Sequence, residues 1–310
     1  MSDSKSTSDT PHETTVAVQF QKLVDERMHE CTARYLARYG PLIDTDGARE
    51  LCDEYMRSPS GRTLLSRVTY QPAKKVARAL FEHLMGSSRY WSMDTVVTFM
   101  SGGSGTGKTT VRTTLCEKNK KLTTLLIPKI PPDEGEPLSI VVDGTLSSYE
   151  QAAEQIECCL AQSARVIMIH VTTDFAVAFK RTVHRAIRMG RVVCIDNLAI
   201  NHIASRATFL KLHDQYGAKT KYKGQIEWAC LDTTNEKARE VPIAKLKMRE
   251  SMQFDSLKVQ ALTILENEFQ DLRTTNPILY KEIIRPGTRS LAAGQGRYKS
   301  KAGNRAPASG

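Results

Sequence analysis

The sequence predicts an α/β protein, three layers built around a parallel sheet, with a helical region ahead of it. Three observations carry that prediction. A G-x-x-x-x-G-K-[ST] pattern runs from Gly102 to Thr109. The apolar run 95–100 directly before it reads as a short buried strand, and residues 109–116 can open a helix. From Asp94 onward strand-like and helix-like segments alternate, as they do where helices cross over a parallel sheet. Together these give a P-loop NTPase/kinase-like fold.

The elements follow in order. Residues 1–15 are polar and Ser/Thr-rich and read as disordered. Val16, Phe20, Leu23, Val24, Met28 and Cys31 recur at helical spacing, which predicts one amphipathic helix to about Tyr39, ended by Gly40-Pro41. A second helix is expected over 46–56, a break at Ser58-Pro59-Ser60-Gly61, and a third helix over 72–85 with Val76, Leu80 and Leu84 on one face. Strands are expected at 95–100, 122–127, 139–142, 166–171 and 226–231. Ser147 and Glu150 have capping-box spacing and start a helix to about Gln162. Another helix runs from about Asp174 to Gly190, and helical charged sequence returns from Asn235 to Leu272. The resulting division is 1–15 disordered, 16–90 helical, 91–240 the P-loop core, 241–285 C-terminal helices and 286–310 a disordered basic tail.

Composition narrows the class. A chain of 310 residues with 40% hydrophobic content can bury a sizeable core. No apolar run approaches the ~20 residues that span a bilayer, and the N-terminus has no signal-peptide core. A cytoplasmic protein without a membrane partner is expected. The seven cysteines are scattered without metal-type spacing and read as reduced thiols. The net charge of +10 gathers at 118–121, 181–191, 219–223 and the tail after Arg285, and such a tail is a candidate contact for nucleic acid.

The motif has a mechanism. Its glycines let the backbone curl so that successive N–H groups face one phosphate chain, which assigns Gly102, Gly103, Ser104, Gly105, Thr106, Gly107, Lys108, Thr109 and Thr110 to nucleotide binding. Lys108 reaches the β- and γ-phosphates, and the Thr109 hydroxyl sits on Mg²⁺. Asp143, at the end of the strand 139–142, is the second candidate for the metal, through water. The run 192–195 followed by Asp196 is a competing strand plus aspartate. Arg181, Arg185 and Arg188 form one helical stripe with Arg191 just beyond, and guanidinium forks suit the charge of a phosphoryl-transfer transition state. A solvated basic face would give the same pattern. The loop 232–235 ends the last strand and either flanks the ligand crevice or is a plain polar turn. His170 and His202 stand alone and read as structural.

These residues resemble the zeta toxin family of P-loop kinases over about 65–240. The resemblance is carried by Tyr70-Gln71-Pro72-Ala73 before the first strand, the phosphate loop, Asp143-Gly144-Thr145, the Arg-rich helix, Gly190-Arg191-Val192-Val193, Ser205-Arg206 and Asp232-Thr233-Thr234-Asn235. It implies ATP-dependent phosphorylation of a small hydroxyl-bearing molecule, with UDP-N-acetylsugars as the target class and a protein antitoxin as partner. By position it implies catalytic roles for Lys108, Asp143, Arg185 and Arg191, with ATP and Mg²⁺ bound. The departure is at 128–137. The family places a general-base aspartate after its second strand, with a helix behind it; here the segment is too proline-rich for a helix, and Asp133 or Glu134 could serve as base. Two rival readings follow: a polynucleotide kinase or nucleic-acid-stimulated NTPase, and a non-catalytic ATP-binding module.

Overall fold

The computed structural model describes residues 10–86, 95–118, 138–217, 220–222, 224–235, 237–248 and 253–287. The expected strand 122–127, Asp133, Glu134 and most of the basic tail lie outside the described residues. The core is the predicted α/β arrangement. Strands β1 (Leu42–Asp44), β2 (Val96–Ser101), β3 (Ser139–Asp143), β4 (Arg165–Thr172), β5 (Ile226–Asp232) and β6 (Arg239–Glu240) form one sheet in the order β1-β3-β2-β4-β5-β6. All pairings are parallel except β5 with β6. Every residue of β2 is buried, as expected for a parallel strand covered on both faces.

Alternation along the strands separates the layers. Val97, Phe99, Ile140 and Val142 join the cluster made with the N-terminal helices, while Val96, Met100 and Val141 face Val111 on the other side. Val111 belongs to α7 (Lys108–Lys118), the helix that the phosphate loop opens. The first layer holds α1 (Pro11–Glu26), α2 (Met28–Tyr39), α6 (Tyr70–Gly86) and α8 (Tyr149–Ala161). A further cluster joins α9 (Phe175–Met189) and α10 (Ile195–Leu212) to the C-terminal α12 (Phe254–Glu268), α13 (Leu272–Thr275) and α14 (Pro277–Ile284), with α11 (Ile243–Met248) preceding them. No described helix is long and apolar enough to cross a membrane.

Five local expectations change, one of them being that Arg239–Glu240 pair with β5 as β6 where helical sequence was expected from Asn235 onward. Helix starts at Pro11 rather than 16, because Thr10 and Glu13 close a reciprocal capping box. The single helix expected to Tyr39 is two, broken at Arg27, whose φ of −130° is not helical. The capping serine is Ser148, which accepts from Gln151 N, not Ser147. The largest change is at 42–56. Residues 42–44 form β1 beside β3, and the expected helix is split into α3 (Thr45–Arg49) and α4 (Asp53–Met56), followed by α5 (Pro59–Leu65). Asp44 caps α3 with both carboxylate oxygens, taking Asp46 N–H and Gly47 N–H at 3.0 Å each.

Candidate functional site

The carboxyl ends of β1, β2 and β3 open into one cavity of about 1390 Å³. The phosphate loop forms one wall. Gly102, Gly105 and Gly107 have φ of 140°, 78° and 83°, and a Cβ at Gly105 would lie 2.2 Å from the Ala178 carbonyl oxygen, so the curl needs glycine there. Ser104, Gly105, Gly107, Lys108, Thr109 and Thr110 line the cavity, while Gly103 and Thr106 face a second, smaller cavity behind the loop. The Lys108 ammonium donates to Gly102 O at 2.7 Å and Gly103 O at 3.3 Å. Burial pulls its pKa down, against the attraction of Asp143, Asp44 and Asp46.

Asp143 ends β3, as expected, and stands in register with Asp44 at the end of β1. Both line the cavity with Asp46. Burial raises Asp143, partly offset by Lys108 and Arg112. Burial also pushes Asp44 up, to about 7, helped by the charges of Asp46 and Asp143. Asp46 goes the other way. Burial works to raise it, but Arg49 at 2.9 Å, with Arg185, Arg191 and Lys108, holds it below the usual carboxylate range. Asp44 and Asp46 thus sit in opposed surroundings, the first beside other carboxylates and the second among cations.

The arginines divide. Arg185 and Arg191 both line this cavity, and each has a buried Nε with no hydrogen-bond partner among the described residues. Arg188 also lines it but is exposed. Arg181 is engaged with the loop after β5: Nη2 donates to Thr233 O at 2.9 Å and Nη1 to Thr233 Oγ1 at 3.3 Å. The Thr233 hydroxyl in turn donates to Thr106 O at 2.6 Å. The loop 232–235 therefore braces the phosphate loop and is more than a polar turn.

The competing strand 192–195 does not form. Residues 191–194 are irregular, and Asp196 lies in the first turn of α10, paired with Lys258 at 2.9 Å and accepting from Gly287 N at 3.0 Å. Both histidines are buried in aromatic surroundings. His170 meets Ser101 Oγ at 3.1 Å and stacks on Phe209. His202 lies against Gly103 and donates from Nε2 to Ser104 O at 3.2 Å; burial lowers its pKa to about 4. Arg206 donates to Leu246 O at 2.6 Å, behind the loop.

Sequence reasoning missed Asp44, Asp46 and Arg49, together with a second basic pole. Arg67 and Arg285 also line the cavity, with Glu282, which lies 3.5 Å from Arg285 and whose carboxyl is raised by burial. The signal for Asp44 was present as an apolar pair ending in aspartate, Leu42-Ile43-Asp44, the form also taken by Val141-Val142-Asp143.

A Mg²⁺ ion fits this donor set. Thr109 and Asp143 offer hard oxygen ligands beside the phosphate loop. Among the described residues no group of three or more His, Cys, Asp or Glu side chains could hold a metal ion. Magnesium in such sites takes one or two carboxylates and completes its shell with substrate phosphates and water.

No protein-family model matches the chain, and no curated protein sequence matches it. Solved structures with a similar course of the chain include the AvrRxo1-ORF1:AvrRxo1-ORF2 complex with sulphate ions, at 15% identity and a TM-score of 0.40, covering 70% of this chain and 87% of that one. The complex of the same two components with ATP matches at 13% identity and a TM-score of 0.39, covering 80% and 93%.

Proposed function

We propose that the chain is an ATP- and Mg²⁺-dependent phosphotransferase that phosphorylates a hydroxyl of a small molecule. One observation carries the reading: Lys108, Arg185 and the carboxyls of Asp44, Asp46 and Asp143 line a single cavity. That set offers a phosphate cradle, cations for the transferring group, and a carboxyl whose pKa suits a general base near neutral pH. The cavity volume exceeds the ~300–1,000 Å³ typical of one ligand, which favours two substrates side by side.

The roles follow from position. Backbone N–H groups of the phosphate loop and Lys108 hold the β- and γ-phosphates. Thr109 and Asp143 would hold Mg²⁺, which when bound would supply charge neutralisation at the phosphates. Asp44, fixed by the two N–H groups it caps, takes the proton of the acceptor hydroxyl. The acceptor oxygen bonds to Pγ as the bond from Pγ to the bridging β–γ oxygen breaks, and ADP leaves with that oxygen. Arg185 and Arg191 offset the charge spread over the transferring group. Asp46, kept ionised, orients Arg49 and attracts Arg185 and Arg191. Arg67 and Arg285 suit an acceptor with its own phosphate, which agrees with a UDP-N-acetylsugar. The base would then come from β1, ahead of the phosphate loop in the sequence, and not from the segment 128–137.

The test is transfer of labelled γ-phosphate from ATP·Mg²⁺ to UDP-N-acetylsugars, nucleosides and oligonucleotides. Label on a small acceptor that falls on the order of 10²–10³-fold in Lys108→Ala supports the proposal. Lys108-dependent label only on oligonucleotides moves the chain to the polynucleotide kinases, and tight ATP binding with no transfer at all makes it a binding module.

A further inference from the structure

The N-terminal region reaches the cavity by a second route, through Glu50. This residue follows α3, its side chain is 9% exposed, and its carboxylate collects three donors. Oε2 takes Arg38 Nη2 at 3.0 Å and the hydroxyl of Tyr39; Oε1 takes Nη2 of Arg191. Of the three donors only Arg191 lines the cavity. Two contacts from α5 fix the turn from which Arg191 projects. Gly190 is left-handed, with φ of 71°, and a Cβ there would lie 1.9 Å from Pro59 O. The Thr63 hydroxyl lies between two carbonyl acceptors, Pro59 O at 3.1 Å and Gly190 O at 3.3 Å.

A guanidinium has five N–H donors and no acceptor, so its direction is set by whichever carboxylates it meets. Among the described residues Asp46, Tyr55 and Glu50 act on Arg191. Glu50 engages one Nη and leaves the other donors of the fork for an anion. Arg38 and Tyr39, both on α2, hold Glu50 on its second oxygen, so the carboxylate itself is fixed before it engages Arg191. We propose that Glu50 is a positioning residue that acts through Arg191, and that the helical region ahead of the core thereby sets the geometry of the phosphate site. The kinetic consequence rests on the phosphotransferase reading; the structural one does not.

The experiment uses the full chain, with Glu50→Gln, Arg191→Ala and the double variant. Glutamine keeps the size of the side chain and can still accept from α2, but it removes the charge that holds the guanidinium. Backbone hydrogen exchange is read over 186–194, with 102–110 as control. Glu50→Gln is expected to speed exchange in the first segment by about fivefold or more and to leave the control unchanged. Steady-state turnover of ATP·Mg²⁺ is read beside binding of a fluorescent ATP analogue. The expected result is kcat lower by about tenfold or more, analogue Kd within about threefold of wild type, and no further loss when Glu50→Gln is added to Arg191→Ala. Unchanged exchange in 186–194 overturns the proposal. So does a loss that adds in full to that of Arg191→Ala, because Glu50 would then act elsewhere. A wild-type chain without Lys108-dependent turnover sinks the phosphotransferase reading instead, and the exchange measurement still decides the placement of Arg191.

Discussion

Asp44 and Asp143 are the last residues of two neighbouring parallel strands and stand opposite each other in register, one from each side of the phosphate loop in the sequence. The charge of Asp143 makes Asp44 harder to ionise. The two carboxyls differ in what else they meet. Asp143 faces Lys108 and Arg112, whereas Asp44 is held by backbone N–H groups.

Asp44→Asn is therefore expected to separate activity from stability. If Asp44 is the base, turnover falls by about 10²–10⁴-fold while the KM for ATP barely moves. The wild-type rate rises through about pH 7, and that limb is absent from the residual activity of the variant. The stability effect has the opposite sign. A carboxyl whose folded pKa lies above its unfolded value stabilises at low pH and loses that contribution as pH rises from about 4 to about 7. Asparagine retains a capping oxygen and carries no charge. The Tm of Asp44→Asn at pH 8 should equal or exceed that of wild type. A variant that is both active and less stable would show a residue whose role is to cap α3.

Gly190→Ala tests the seam between the N-terminal region and α9. Alanine there meets both a left-handed backbone and the Pro59 carbonyl, 1.9 Å from the new Cβ. The left-handed conformation alone costs about 1–2 kcal/mol, and the clash adds to it. A loss of at least about 2 kcal/mol in chemical unfolding is expected. Wild-type stability would mean that the two segments do not touch in solution.

How much of this was legible in the sequence depended on length and on charge. The curl of the loop was readable because its glycines recur in a known pattern directly after a buried strand, and Gly102, Gly105 and Gly107 do take positive φ. Asp143 was readable because five residues, Ser139–Asp143, are enough to look like a strand. Leu42–Asp44 is three residues long, follows Gly40-Pro41, ends in the cap of α3, and shows no period. Its pairing with β3 is a long-range event that local pattern cannot carry. The pairing of Arg191 with Glu50 was hidden for the same reason, since 141 positions separate them. The stripe of Arg181, Arg185 and Arg188 was legible as a stripe, but not its division among a brace, a cavity wall and a solvent-facing position.

His202 gives the protein a measurable sensitivity to acid. The imidazole is 5% exposed, lies behind the phosphate loop and has its pKa lowered to about 4 by burial. A histidine kept neutral in the fold favours unfolding once the unfolded chain can take up the proton, below about pH 6.5. Between pH 7 and pH 5 this group is expected to remove roughly 2 kcal/mol of stability. Urea unfolding at both values checks it, with His202→Leu as control. The variant starts less stable, because the bond to Ser104 O is lost, but its stability should change less over that interval. Equal slopes would place the acid sensitivity elsewhere.

Thr233 links the loop after β5 to the phosphate loop through one hydroxyl. That hydroxyl donates to Thr106 O and accepts from Arg181, so a single atom sets both a phosphate-loop carbonyl and a cavity-lining guanidinium. Thr233→Val keeps the shape and deletes the hydroxyl. It leaves Thr106 O short of a buried donor, at a cost of about 1–3 kcal/mol, and releases one anchor of Arg181. Thr233→Ser keeps both bonds and loses only a methyl group. If the brace holds the loop in its phosphate-binding curl, the valine variant should bind an ATP analogue about tenfold more weakly, while the serine variant stays within about threefold of wild type. The chemical step need not change, because none of the proposed base, metal ligands or Lys108 moves with it. Equal affinity in all three proteins would mean that the glycine-rich loop keeps its curl unaided, and that Arg181 and Thr233 serve packing behind it.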